Sequence, residues 1–306
     1  MVPLSTPAKP HLHIREKGAD LAFTIFNGVF LTLVFLGVFY PLIYIVSASF
    51  SDPNAVSSGQ VILLPVKFTL IAYTTIFKYA AIWVGYMNAI FYTVVGTALN
   101  VLMTILAAYP LSRRNLYGKN FLLFLFVFTM LFSGGLIPLY ITVKQVGLYN
   151  TRGALIIPQA LSVWNMIIAL TFFRTFLPPE LQEAAQLDGC DDFQFLLHIV
   201  LPLSAPIIAV LCLFYAVGHW NEYFNALIFL SNKDLFPLQL ILRDILVQNT
   251  VDVRLMQDVQ TMAAKAGLRE LLKFALMVVA SVPVLAIYPF VQKYFTKGLM
   301  IGAIKG

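Results

Sequence analysis

Five carboxylates, Glu180, Glu183, Asp188, Asp191 and Asp192, crowd into thirteen residues of the stretch PPELQEAAQLDGCDDFQFLLHIVLP, Pro178 to Pro202. No Lys or Arg occurs between Arg174 and Lys233. A second polar group, His219, Asn221, Glu222 and Asn225, interrupts the apolar run GHWNEYFNALIFL. Paired acids and a histidine could serve acid–base or metal chemistry, but an enzyme also needs a nucleophile, a metal site or a positioned acid and base in a water-excluding pocket. No HExxH or GxSxG is present, and His11 and His13 sit in a polar tail. Gly118 and Lys119 are followed by Asn120, where a phosphate-binding loop needs Ser or Thr for magnesium, and its first glycine is missing. The chain is expected to be no enzyme, to carry no cofactor or metal, and to hydrolyse no nucleotide by that route.

The elements that must position these groups are set by composition. Of 306 residues, 60% are hydrophobic and only 11% charged, which points to a membrane protein. Six runs are long enough to span: about Leu21 to Val46, Val84 to Ser112, Phe121 to Ile141, Leu155 to Leu177, Leu203 to Leu230 and Leu271 to Phe295. The first is too long and unbroken for a cleaved leader and reads as a retained helix. Pro110, Pro138, Pro158, Pro283 and Pro289 mark kinks or helix ends. The net charge of +6 comes from bases scattered at the ends of apolar runs, so topology rather than nucleic-acid binding accounts for it. Cys190 and Cys212 have no ligand spacing and read as reduced packing residues.

Lys9, Arg15, Lys17, Arg113, Arg114, Lys119, Arg174, Lys293, Lys297 and Lys305 then lie on one side, which the positive-inside rule makes cytoplasmic. An even number of spans puts both termini and the acidic stretch there. The long outer segment from Ser231 to Glu270 contains FPLQLILRDILVQ, with Leu238, Ile241, Leu242 and Ile245 on one helical face. It is expected to lie along the outer surface, either as a docking site or as a lid.

The acidic stretch reads as helix, sharp turn, helix. Pro178 and Pro179 suit a helix start, and Glu180 and Glu183 favour the positive end of its dipole. Leu181, Ala184 and Ala185 make a narrow face of small side chains. Gly189 supplies the stop, Asp191 and Asp192 the second start, and Phe193, Leu196, Leu197 and Val200 its apolar face. Capping explains Glu180, Asp191 and Asp192. It leaves Glu183, Ala184, Ala185, Asp188 and the Gly189 turn to a protein-docking role.

An intramembrane carboxylate such as Glu222 is costly and faces a hydrated cavity or a partner helix. Trp164 and Asn165 sit at similar depth, and Asn88 begins the second run. Aromatic rings beside amides suit a sugar path, and interhelical hydrogen bonding explains the same residues.

EAAQLDGCDDFQFLLHIVLPLSAP resembles the EAA loop of binding-protein-dependent ABC importer permeases, whose pattern is EAA, three residues, G, then I and LP downstream. Glu183, Ala184, Ala185, Asp188, Gly189, Ile199, Leu201 and Pro202 fit it; Cys190 stands where Ala is common. NAIFYTVVGTALNVLMTILAAYPLSRRNLYGKN, HWNEYFNAL and YFTKGLMIGAIKG extend the likeness to sugar permeases of the maltose-transporter second-subunit type. FSGGLIPLYITVKQVGLYNTRGALIIP is similar to an oligosaccharide subgroup. The resemblance implies an all-α polytopic fold with six transmembrane helices and a two-helix coupling loop at 178–202. The divisions are a tail at 1–20, a first span and outer loop at 21–83, and the permease core at 84–306. It further implies a second permease, two ATPases carrying ATP and Mg, an extracytoplasmic sugar-binding protein and a bacterial cytoplasmic membrane. Glu183 would be a charge anchor and Gly189 a hinge; Pro202 ends the motif. Trp164, Asn165, Asn221, Glu222 and Asn225 are the candidate translocation path.

Overall fold

The computed structural model describes residues 18–113, 115–247 and 262–302, with side chains described for 267–287 of the last stretch. Every regular element among them is helical. The first part comprises α1 (Gly18–Ser49), two short helices α2 (Pro53–Ser57) and α3 (Ile71–Lys78), and the long α4 (Ala80–Ser112). Then come α5 (Lys119–Leu131), α6 (Leu136–Gln145), α7 (Gly153–Ile156), α8 (Val163–Phe176), α9 (Pro179–Leu187) and α10 (Asp192–Phe195). A π turn over Leu196–Val200 continues α10 into α11 (Leu201–Leu203). The chain continues with α12 (Ala205–Trp220), α13 (Phe224–Phe229), α14 (Leu238–Val247) and α15 (Met262–Gly302). Arg114, the N-terminal tail and the segment 248–261 lie outside the described residues.

The architecture is all-α, but the six apolar runs are not six straight spans. Three helices, α1, α4 and the Gly267–Ile287 part of α15, are long and apolar enough to cross a membrane. Two bent pairs, α5 with α6 at 112° and Asp192–Leu203 with α12 at 79°, raise the number to five if each pair is one span. The run Phe121–Ile141 breaks where Gly135 takes φ +83 and ψ −179, a conformation open essentially only to glycine. The run Leu155–Leu177 yields α7 and the 14-residue α8, divided near Pro158. The run Leu203–Leu230 breaks at Asn221–Tyr223, so Asn221 and Glu222 lie between helices, while His219 ends α12 and Asn225 opens α13.

Two packed regions share α4 as their spine. One joins the end of α1 with α2, α3, α14 and α15; the other joins the second half of α4 with α8, α9, the π turn and α12. Helix α14 buries much of its expected apolar face: it is wedged between α4 and α15, with Leu238, Leu240, Leu242 and Ile245 buried. Gly85 permits this, because a β-carbon there would sit 3.1 Å from the Leu238 Cα. By contrast almost all of α1 is exposed along its apolar length, as a helix facing lipid or another subunit would be.

Candidate functional site

Residues 178–202 build a lever at one end of α4 and α8. Helix α9 starts on Pro179, and its carboxyl end is turned by Gly189 at φ +81, where a β-carbon would be strained. Asp191 then opens the second helix with a capping box. Its Oδ1 accepts from the Gln194 backbone N–H at 2.7 Å, and Gln194 Oε1 accepts from the Asp191 N–H at 3.4 Å. Pro202 falls in α11, just before the 79° bend into α12 at Ser204.

The faces of this lever differ in part from the expected ones. Ala185 is buried and Leu181 packs beside it, whereas Ala184 is exposed together with Glu183 and Asp188. On the second helix Phe195, Leu196 and Val200 are buried, while Phe193 and Leu197 face outward. From Leu196 onward the π turn, with more residues per turn, brings residues five apart, Phe195 and Val200, onto one side. Leu187 at 90% exposure and Phe193 at 66% therefore project on either side of the Gly189 turn, next to Glu183 and Asp188. Sequence reasoning missed Leu187, although it lies four residues beyond Glu183 on the same helical face.

The lever is stitched to the spine. Arg113, just past α4, donates through Nη1 to Gln182 Oε1 at 3.0 Å, and Gln182 Nε2 donates to Asp192 Oδ1 at 3.2 Å. One amide thus ties α4 to both helices of the lever. The guanidinium lies 4.5 Å from the Tyr109 ring and 5.3 Å from the Phe195 ring, so aromatic faces cover it. Arg174 donates to the Leu111 carbonyl at 3.3 Å, fixing α8 to α4 at the same level. Neither Gln182 nor Arg113 could be singled out from spacing, because their partners are distant in sequence.

A second polar system occupies the break after α12. Asn100 on α4 donates through Nδ2 to the Gln159 carbonyl, which leaves its Oδ1 to accept from His219 Nε2 at 2.8 Å. Gln159 Nε2 donates to Glu222 Oε2 at 3.1 Å. Glu222 also accepts from the Asn225 backbone N–H and side-chain Nδ2, each at 3.0 Å. The costly carboxylate therefore caps α13 and binds the Gln159 segment. Asn88 is likewise tied internally, donating to the Asp234 carbonyl at 2.6 Å and accepting from Arg152 at 3.3 Å.

The five path candidates do not share one wall. Trp164 is exposed at the start of α8, whereas Asn165 beside it is buried with its backbone N–H capped by Ser162 Oγ. Glu222 and Asn225 bind each other. Asn221 alone of the five lines a cavity of about 530 Å³ between the α12–α13 break, α14 and α15. Tyr223, Gln239 and Arg243 face the same cavity, with Met277 and Ser281 opposite. Amides, a phenol ring and a guanidinium among apolar residues can bind a sugar's hydroxyls, its apolar face and an acid group. Gln239 and Arg243, four residues apart on α14, were missed because that segment read as outer surface. Among the described residues no cluster of His, Cys, Asp and Glu could hold a metal ion.

Comparison with known proteins adds independent findings. The model of the family described as "Binding-protein-dependent transport system inner membrane component" matches residues 82–301. A polygalacturonan/rhamnogalacturonan transport system permease protein of Bacillus subtilis is 42% identical over 278 residues, covering 90% of this chain and 96% of that protein. An arabinooligosaccharides transport system permease protein of Halalkalibacterium halodurans is 29% identical over 303 residues, covering 96% of this chain and 100% of the relative. A chain from the crystal structure of a bacterial ABC transporter that imports the acidic polysaccharide alginate superposes with a TM-score of 0.83 at 34% identity, over 92% of this chain and 99% of that one.

Proposed function

The chain belongs to the binding-protein-dependent transport system inner membrane components, and on that premise we propose how its parts work in an ATP-driven importer. It is a permease subunit for carbohydrate uptake, related over nearly its whole length to oligosaccharide and polysaccharide transport permeases. In the proposed assembly it pairs with a second homologous permease, two ATPases that carry ATP and Mg, and an extracytoplasmic sugar-binding protein. The lever and both termini face the cytoplasm of a bacterial cell.

The observation that carries the mechanism is the Arg113–Gln182–Asp192 stitch. Glu183, Ala184, Leu187 and Asp188 enter a groove on one ATPase, and Ala185 anchors the other side of α9 in the helix bundle. When the ATPases close on ATP, the displaced lever pulls on α4 and α8 through Gln182 and the packed Phe195 and Phe173. A two-helix lever packed into the core of α4, α8 and α12 transmits displacement, whereas a free loop would absorb it. The test is ATP hydrolysis and sugar uptake by the complete importer in proteoliposomes. Gln182→Ala is expected to keep hydrolysis and lose most uptake; equal loss or retention of both would reject the stitch as the transmitting element.

The cavity beside Asn221 serves as part of the sugar path, and Arg243 favours an acidic oligosaccharide. Support comes from the guanidinium in the cavity wall, and from relatives whose named cargoes are polygalacturonan, rhamnogalacturonan and alginate.

A further inference from the structure

A cavity of about 410 Å³ opens where α4 ends, α5 begins and α8 meets α9. Arg113, Lys119 and Arg174 line it together with Ser112 and Asn115, against the single carboxylate of Glu183. The cavity therefore carries a formal excess of two positive charges. Arg113 is the unusual member: its Nε and Nη2 are buried, and neither has a hydrogen-bond acceptor among the described residues. Its Nη1 donates to Gln182, and the Tyr109 and Phe195 rings cover its faces. Those two donors are sealed from the cavity, so what Arg113 offers it is charge, and among the described residues no carboxylate ion pair offsets that charge. Arg174 directs one N–H to the Leu111 carbonyl and, among the described residues, has no carboxylate partner.

What could balance the excess charge is indicated by the surroundings. Helix α5, which forms one wall at Lys119, has no buried residue; Phe121, Leu122 and Phe124 are exposed along it, and Phe176 is exposed at the end of α8. The basic cavity thus adjoins an apolar surface of the kind that acyl chains cover, at the level where membrane helices end. A basic recess between helix ends beside such a surface matches an anionic headgroup whose chains lie on the neighbouring helices. From this we infer that the cavity holds the phosphate of an anionic phospholipid, with Lys119 and Arg174 as its donors and the charge of Arg113 behind them. The lipid then neutralises the excess positive charge and stiffens the junction that bears the lever.

The test is native mass spectrometry of the complete importer in detergent, titrated separately with phosphatidylglycerol and phosphatidylcholine. A saturable preference for phosphatidylglycerol is expected, weakened about fivefold by Lys119→Gln and by Arg174→Gln, the effect of one cation near a headgroup. Arg113→Gln also breaks the bond to Gln182 and Arg174→Gln the bond to the Leu111 carbonyl, so Lys119→Gln keeps the test independent of those two bonds. Absence of the preference, or a preference unchanged in both variants, overturns the inference. Displacement of phosphatidylglycerol by inorganic phosphate would assign the site to a soluble anion instead. A preference seen only after the ATPases are stripped away would give the cavity to an acidic protein partner, and that too overturns it.

Discussion

The His219 imidazole occupies the space beside Gly96 on the facing helix, so that a β-carbon at position 96 would lie 2.6 Å from its Cε1. Absence of a side chain at Gly96 is what lets α12 approach α4 closely enough for His219 to reach Asn100. Gly96→Ala is expected to destabilise the subunit by about 1–3 kcal/mol, the range for overpacking. Gly218→Ala, one residue before the histidine, meets nothing within 4 Å and should be neutral. Thermal denaturation of the purified importer checks both; equal melting temperatures for wild type and Gly96→Ala would refute the close-packing argument.

These contacts show what was legible in advance. The lever was readable because its signals are local: proline at a start, glycine at a stop, and a capping residue three positions before its partner. Its facing was legible only in part, since a π turn shifts the residues from Leu196 onward without a spacing signal. The spans were legible as apolar content but not as geometry. Runs that read as continuous are broken at Gly135 and at Asn221–Tyr223, and hydropathy is blind to a break that keeps its residues apolar or internally bonded. Glu222 stands out in the sequence as a carboxylate in an apolar run, yet its partner Gln159 lies 63 residues away and emerges only in three dimensions.

Glu222 accepts three hydrogen bonds, two of them from Asn225. Replacement by Gln turns one acceptor into a donor that faces Gln159 or the Asn225 amide. Glu222→Gln is expected to cost about 0.5–2 kcal/mol, the scale of a lost helix cap, and to lower uptake. Asn225→Ala removes one donor but keeps the backbone cap, so it should be milder. An equal or greater loss for Asn225→Ala, by thermal stability and sugar uptake, would show that capping is not the role of Glu222.

The exposed tip of the lever supports a prediction about assembly. If Leu187 is buried in an ATPase groove, truncation to Ala removes about 1.5–3 kcal/mol of apolar burial, a loss of tenfold or more in ATPase binding. Leu187→Ala is measured by titrating ATPase onto the permease pair in nanodiscs. Phe193→Ala, on the other side of the turn, is expected to act in the same direction. Unchanged affinity in both variants would place the docking face elsewhere.

Within the lever, Gly189→Pro forces φ from +81 toward about −65°, a backbone the turn cannot accept. Glu183→Lys reverses the charge on the exposed face. Each is expected to abolish uptake while the subunit still inserts and pairs with its partner permease. Proteoliposome uptake and co-purification check this; normal ATP-dependent uptake by either variant would remove its residue from the coupling surface.

Arg243 offers the sharpest test of cargo. It lines the cavity with Gln239 one helical turn away, and its Nη1 is bonded at 3.1 Å to Asp244, a neighbour it can exchange for a sugar carboxylate. The pair is partly exposed, so solvent weakens the attraction and a loss of about fivefold is expected rather than the larger effect of a buried contact. Arg243→Gln keeps hydrogen-bonding capacity and removes only the charge. Acidic-oligosaccharide transport should fall relative to that of a reduced, neutral counterpart, with ATP hydrolysis unchanged. Because the binding protein selects first, the comparison uses the kcat/KM ratio for the two sugars with the same binding protein in both arms. A ratio unmoved by Arg243→Gln would leave the cavity as a path for sugar hydroxyls and rule out charge recognition there.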